Sequence, residues 1–138
     1  MHEMAAAVGL SMVDRDWVSN SLPALQAAEF VREHGDFDAF HHAVFTAYWA
    51  EGKDIGKIDV LKEIATSVGV DAEAMAAAVE DGRYLEQVMA DYELAQRIGL
   101  SGVPAFILGN RAIVGAQPYE VFEQVMTMLG REKRDAAD

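Results

Sequence analysis

The 138 residues carry 11 Lys and Arg against 23 Asp and Glu, a formal net charge of −12, and 51% of them are hydrophobic. A chain of this length fits one domain that buries a core without staples, and so acidic a surface repels phosphate backbones and anionic lipid heads, so no nucleic acid and no membrane is expected as a partner. The cysteine count is zero, which excludes from these residues a disulfide, a thiolate zinc site, an iron–sulfur cluster, a nucleophilic cysteine and a dithiol redox cycle.

The opening Met1-His2-Glu3-Met4-Ala5-Ala6-Ala7-Val8 lacks a basic leader region, and Gly9 soon ends its apolar run. No apolar stretch approaches the roughly 20 residues needed to cross a bilayer, and the expected compartment is the cytoplasm. Helical periodicity then takes over, punctuated by glycine. Ser21 reads as an N-cap with Pro23 just inside, for a helix carrying Leu22, Leu25, Ala28 and Val31 on one stripe and ending on a left-handed Gly35. Asp36 caps the next helix, with Phe37, Phe40, Val44, Phe45 and Tyr48 at three- and four-residue spacing. A third helix takes Val60, Leu61, Ile64, Ala65 and Val68. Asp71 caps an alanine-rich helix from Ala72 to Glu80, and a longer one bears Tyr84, Leu85, Val88, Tyr92, Ala95 and Ile98 before Gly99.

Beyond Leu100 the texture changes. Ala105-Phe106-Ile107-Leu108 and Arg111-Ala112-Ile113-Val114 flank Gly109-Asn110, a β-hairpin signal. A last helix has Tyr119, Phe122, Val125, Met126 and Leu129 on its inner face, and the charged tail from Arg131 to Asp138 is expected to fray. The first strand is apolar throughout, as in strands covered on both faces, yet a lone hairpin is marginal in water. Something else must pair with it.

Few residues stand out for chemistry. Asp38 with His41 or His42 offers two ligands at helical spacing, but a solvated acid–imidazole pair is the plainer reading, and no HExxH or cysteine completes a metal site. His34 reads as a cation at a helix C-terminus. Asp36, Asp59 and Asp71 sit where caps belong, Glu86, Asp91 and Glu93 lie on solvent-facing helix surfaces, and the methionines read as core filler. No GxSxG elbow, phosphate loop or EF-hand is present. One position differs: Pro104 stands at the entry of an apolar strand, where its missing N–H demands a strand start or a bend.

Gly102-Val103-Pro104-Ala105-Phe106, the hairpin, and Gly115-Ala116-Gln117 behind it resemble the cis-proline strand and C-terminal unit of DsbA-like thioredoxin-fold proteins. The resemblance is to the FrnE-type dithiol oxidoreductases, related to 2-hydroxychromene-2-carboxylate isomerases. Upstream, Ala27-Ala28-Glu29-Phe30, Phe40-His41-His42-Ala43-Val44-Phe45, Tyr48-Trp49-Ala50-Glu51-Gly52-Lys53-Asp54-Ile55, Val60-Leu61 and Val68-Gly69-Val70-Asp71 resemble that family's helical insertion in order and spacing. So does Asp91 to Gly99, the helix entering the proline loop.

The resemblance implies a mainly α fold with a small β-hairpin: an α-helical insertion-type domain over 1–100, the C-terminal ββα part of a DsbA-like thioredoxin fold over 101–130, and a tail over 131–138. It implies a cis Val103–Pro104 bond, and a loop of Gly102, Val103 and Pro104 whose backbone pairs with an extended peptide or glutathione. The family's strand–CxxC–helix part finds no matching position here, so no catalytic residue, metal or cofactor carries over. A redox-inactive binding or assembly module is the expected function, against two alternatives: the C-terminal portion of an intact FrnE-type oxidoreductase or isomerase, and a glutathione-dependent isomerase. The expected partners are a second copy, through Ala105–Leu108 and neighbouring helices, and an extended peptide or a CxxC-bearing chain.

Overall fold

The computed structural model describes residues 2–131, so the tail beyond Arg131 lies outside the described residues. The chain divides into two compact units between Ala90 and Asp91; the change of texture in the sequence lies ten residues further on, beyond Leu100.

The first unit holds α1 (His2–Ala7), α2 (Leu22–His34), α3 (Phe37–Trp49), α4 (Ile58–Ser67), α5 (Ala72–Glu80) and the first turns of α6 (Leu85–Arg97). Helices α2 to α5 pack on one core, in which Phe40, Leu61, Met75 and Val31 are fully enclosed. The sequence gives no forewarning of α1, a short helix with no buried residue.

Two of the expected caps form. Asp36 accepts from the Ala39 N–H at 3.0 Å, and Asp71 accepts from the Glu73 and Ala74 N–H groups at 3.1 and 3.0 Å. These bonds satisfy donors that a helix start leaves orphaned. Two others do not. Ser21 makes no capping bond, and Asn20 Oδ1 instead accepts from the Leu22 N–H at 3.1 Å. Asp59 lies inside the first turn of α4, whose N-cap is Lys57.

The buried face of α2 is also rotated from the expected stripe. Ala24, Gln26, Ala27, Phe30 and Val31 are buried, while Leu25 is 49% exposed. Because α2 lies against α3, α4 and α5, its small residues admit close neighbours where a leucine ridge would hold them apart. On α3, Phe40, Val44 and Ala47 are buried and Phe45 is exposed. Met75 is the one enclosed methionine among those read as filler; Met4, Met89, Met126 and Met128 are exposed.

Gly35 ends α2 with φ −162° and ψ −163°, which is extended backbone and not the left-handed cap expected. Its reason is space: a Cβ here would stand 2.7 Å from Val70 Cγ2.

Between α1 and α2, residues 12–20 form a strap along the C-terminal end of α3 and the loop after it. Val13 N–H donates to the Trp49 carbonyl at 2.9 Å, and Arg15 Nη1 to the Tyr48 carbonyl at 2.6 Å. The Arg15 guanidinium lies 3.5 Å over the Tyr48 ring and 5.0 Å from that of Trp49, a cation–π arrangement. Ser19 Oγ donates to Asp54 Oδ1 at 2.7 Å, and Gly56 leaves room for the Asn20 carbonyl, which a Cβ would meet at 2.9 Å.

The second unit contains the rest of α6, β1 (Ala105–Leu108), β2 (Arg111–Val114) and α7 (Tyr119–Met128). The strands pair antiparallel, Ala105 opposite Val114 through Leu108 opposite Arg111. Gly109 takes φ +60° at the first turn position, as a two-residue hairpin of the II′ kind requires. Contrary to the apolar reading of β1, its faces are not both covered: Phe106 is 39% and Ile107 56% exposed. No residue of α7 is buried; Phe122 and Val125, with Leu129 just past its end, are half-buried, and Tyr119 and Met126 are exposed. The Phe122 ring meets Phe106 edge-on, with centroids 5.0 Å apart.

Candidate functional site

The proline loop and strand β1 form the candidate site. The Val103–Pro104 peptide bond is cis, and Gly102, Val103 and Pro104 are all exposed, Val103 93% so. A Cβ at Gly102 would only touch Val114 Cγ1 at 3.8 Å, so space does not demand glycine there. Behind the loop, the Gly115 N–H donates to the Pro104 carbonyl at 2.7 Å and Gln117 Nε2 to the Val114 carbonyl at 2.9 Å. The left-handed Gly115, φ +87°, turns the chain so that both bonds close.

The pairing fixes which backbone groups face outward. Leu108 and Arg111 close the two-residue loop, so they form a hydrogen-bonded pair, and alternation makes Phe106 the next. The Pro104 carbonyl continues the same series toward β2. The N–H and C=O groups of Ala105 and Ile107 therefore point away from β2, and among the described residues β1 pairs with β2 alone. Such an edge is a template for another strand.

The remaining candidates do not converge on chemistry. His41 lies between Phe37 and Phe45, with centroids 5.5 and 4.7 Å away, and His42 is exposed. His34 stacks on Phe30 at 4.4 Å, its Nδ1 2.9 Å from the Phe30 carbonyl. Among the described residues no group of three or more His, Asp or Glu is placed to hold a metal ion.

A cleft of about 410 Å³ between α3 and α4 is lined by His42, Thr46, Glu51, Lys53, Glu63 and Ser67, among others. Lys53 bridges Glu51 and Glu63 at 3.2 Å each. Hydrogen bonding to Glu51 and then Glu63 holds its ammonium above the usual lysine range, which disfavours a nucleophilic amine. Lys62, paired with Glu73 at 2.7 Å, is raised likewise.

Reading the sequence misses the strap residues Arg15, Ser19 and Asn20. Asn20 alone carried a signal, since Asn ranks with Ser among N-caps.

A helical unit joined to a hairpin–helix unit entered through a cis-proline loop belongs to the thioredoxin-fold class. A family model for the DSBA-like thioredoxin domain matches residues 1–127, and the chain belongs to that family. It is 30% identical over 111 residues to the uncharacterised protein YwbO of Bacillus subtilis, a match covering 80% of this chain and 56% of that one. A probable DsbA oxidoreductase from Streptomyces coelicolor superposes with a TM-score of 0.82 at 29% identity, covering 99% of this chain and 61% of the other. The cytosolic disulfide reductase DsbM of Pseudomonas aeruginosa, solved with GSH, gives a TM-score of 0.59 at 28% identity, covering 85% of this chain and 62% of its own. These 138 residues thus span about three-fifths of the relatives they match, and they contain no cysteine. No helix among the described residues is long and apolar enough to cross a membrane.

Proposed function

We propose that this chain is a peptide-binding module of the DsbA-like oxidoreductase family, redox-inactive by itself. An extended peptide lies along the outward edge of β1, next to the exposed Gly102, Val103 and Pro104. The observation that carries this reading is the pair of outward-facing residues, Ala105 and Ile107, whose N–H and C=O groups find no strand among the described residues. Strand addition of this kind takes its affinity from main-chain hydrogen bonds and its selectivity from side-chain pockets. Thiol–disulfide exchange needs an attacking thiolate, and no residue here supplies one. Similarity to a reductase described as cytosolic supports a cytoplasmic address.

The test is fluorescence anisotropy with a labelled seven-residue peptide of alternating valine and threonine. Saturable binding is expected, at least tenfold weaker in Ile107→Pro, which removes an outward N–H and none that pairs with β2. Absence of binding at millimolar chain would overturn the peptide role. Insulin reduction by the chain above a dithiothreitol blank would overturn the redox-inactive part.

A second reading makes these residues the C-terminal portion of an intact FrnE-type oxidoreductase or isomerase, whose CxxC lies in another stretch of polypeptide. It is favoured by the greater length of the relatives, of which the chain covers 56% and 61%. An immunoblot of the source organism decides: a band near the relatives' length supports it, and one at 15.1 kDa refutes it.

A further inference from the structure

The polar groups around the cleft between α3 and α4 are mostly acceptors. The cleft's volume, about 410 Å³, lies in the range that small-molecule sites occupy. Every lining residue belongs to α3, α4 or the loop between them, so its walls are set within the first unit. Ala47 and Ile64, only 3% and 5% exposed, give it an apolar base. The loop is tied to the end of α3: the Glu51 N–H donates to the Thr46 carbonyl at 3.1 Å and the Lys53 N–H to the Ala47 carbonyl at 2.8 Å. Glu63 and Ser67, one turn apart on α4, share a face.

The Lys53 ammonium commits two of its three donors to Glu51 and Glu63. Each carboxylate keeps its second oxygen, and among the described residues no other donor reaches it. Ser67 Oγ has given its hydrogen to the Ile64 carbonyl at 2.7 Å, so toward the cleft it only accepts. Two carboxylates against one ammonium leave a single negative charge. The chain's net charge of −12 concentrates cations around it in any case. A carboxylate or phosphate ligand meets repulsion here, whereas an ammonium group, which has donors alone, meets free acceptors.

We propose that this cleft binds a primary amine with a compact apolar body, its ammonium among Glu51, Glu63 and Ser67 and its body against Ala47 and Ile64. Lys53 shares the two carboxylates and so competes with the ligand. The site does not rest on the peptide reading, which concerns the second unit.

The test is an amide NMR titration of the whole chain with phenethylamine, set against phenethyl alcohol and phenylpropionate, which share the ring and differ in the head group. Saturable shifts centred on Thr46, Lys53, Ile64 and Ser67 are expected with the amine. The alcohol is expected to bind about tenfold more weakly, because it lacks the charge-assisted bonds, and the carboxylate not at all. Glu63→Gln is expected to weaken the amine about tenfold. Lys53→Met, which removes the competing cation, is expected to tighten it severalfold, whereas a site that held its ligand through Lys53 would weaken. The Glu63 and Lys53 side chains are 65% and 41% exposed, so neither substitution disturbs the core. Absent shifts, shifts that rise across the acidic surface without saturating, or equal binding of amine and carboxylate would each overturn the site. So would an unchanged affinity in Glu63→Gln or weaker amine binding in Lys53→Met.

Discussion

Gly35→Ala is the sharpest probe of how the helical core is put together. The alanine Cβ would lie 2.7 Å from Val70 Cγ2 and 3.4 Å from Val31 Cγ1, and both valines are buried, 7% and 0% exposed. Valine is stiff at χ1 and has no second rotamer to retreat into cheaply. The backbone at Gly35 is extended, φ −162°, so the cost is steric overlap and not conformational strain. Overpacking of this kind costs about 1–3 kcal/mol. Val70→Ala alone removes two buried methyl groups and costs about 2–3 kcal/mol by the large-to-small scale. In the double variant the new methyl group enters the space vacated by Val70, so its overlap cost disappears and the total falls short of the sum by about 1–3 kcal/mol. The assay is urea unfolding followed by tryptophan fluorescence. The chain has two tryptophans, Trp17 and Trp49, both in the first unit, so the signal reports that core alone. Additivity within about 0.5 kcal/mol, the level found for independent sites, would refute the close approach.

Three more outcomes are expected. Asn20→Ala should cost the first unit about 1 kcal/mol through loss of the α2 cap, while Ser21→Ala costs less than about half that, both read by the same urea melts. Asp54 is held below the usual carboxylate range, first by the Ser19 hydroxyl and then by the Gly56 N–H, so its contribution is full above about pH 4 and fades as pH falls through its lowered folded value. Stability measured between about pH 6 and 3 should therefore decline less steeply in Asp54→Asn than in the unaltered chain. Tyr84 donates to Glu33 Oε2 at 2.6 Å, and that bond, followed by burial, raises its pKa. Its contribution is present below about pH 10 and is lost as pH climbs through the raised folded value; Tyr84→Phe should flatten that alkaline limb in melts taken from about pH 8 to 11.

The local signals in the sequence survive into the structure where short-range chemistry decides. Asp36 and Asp71 cap because a carboxylate three residues or fewer from free N–H groups needs no tertiary help. The hairpin is legible because Gly109 at a two-residue turn admits little else. The order of blocks from Ala27 to Pro104 points to the family for the same reason that the family model matches across 1–127. Facing, by contrast, is set by partners far away in sequence. Leu25 yields the core to Ala24 and Ala27 because three other helices crowd α2, and no periodicity within α2 records that crowding. Gly35 does end α2, but it reads as a left-handed cap and is in fact an extended residue whose missing side chain leaves room for Val70. The outward backbone of Ala105 and Ile107 follows from strand parity, which becomes visible only once the Leu108–Arg111 closing pair fixes the register.

The strap over residues 12–20 is moored largely by carbonyl oxygens, those of Trp49 and Tyr48, which any residue at those positions would offer. Its dependence on side chains is concentrated in Arg15 and Ser19. Val18, 85% exposed, hangs free between moored neighbours, so a cysteine placed there would carry a single dye on a cysteine-free scaffold. With Trp17 next to it in the chain, that dye would turn the detachment of this stretch from the helices beneath into an optical signal.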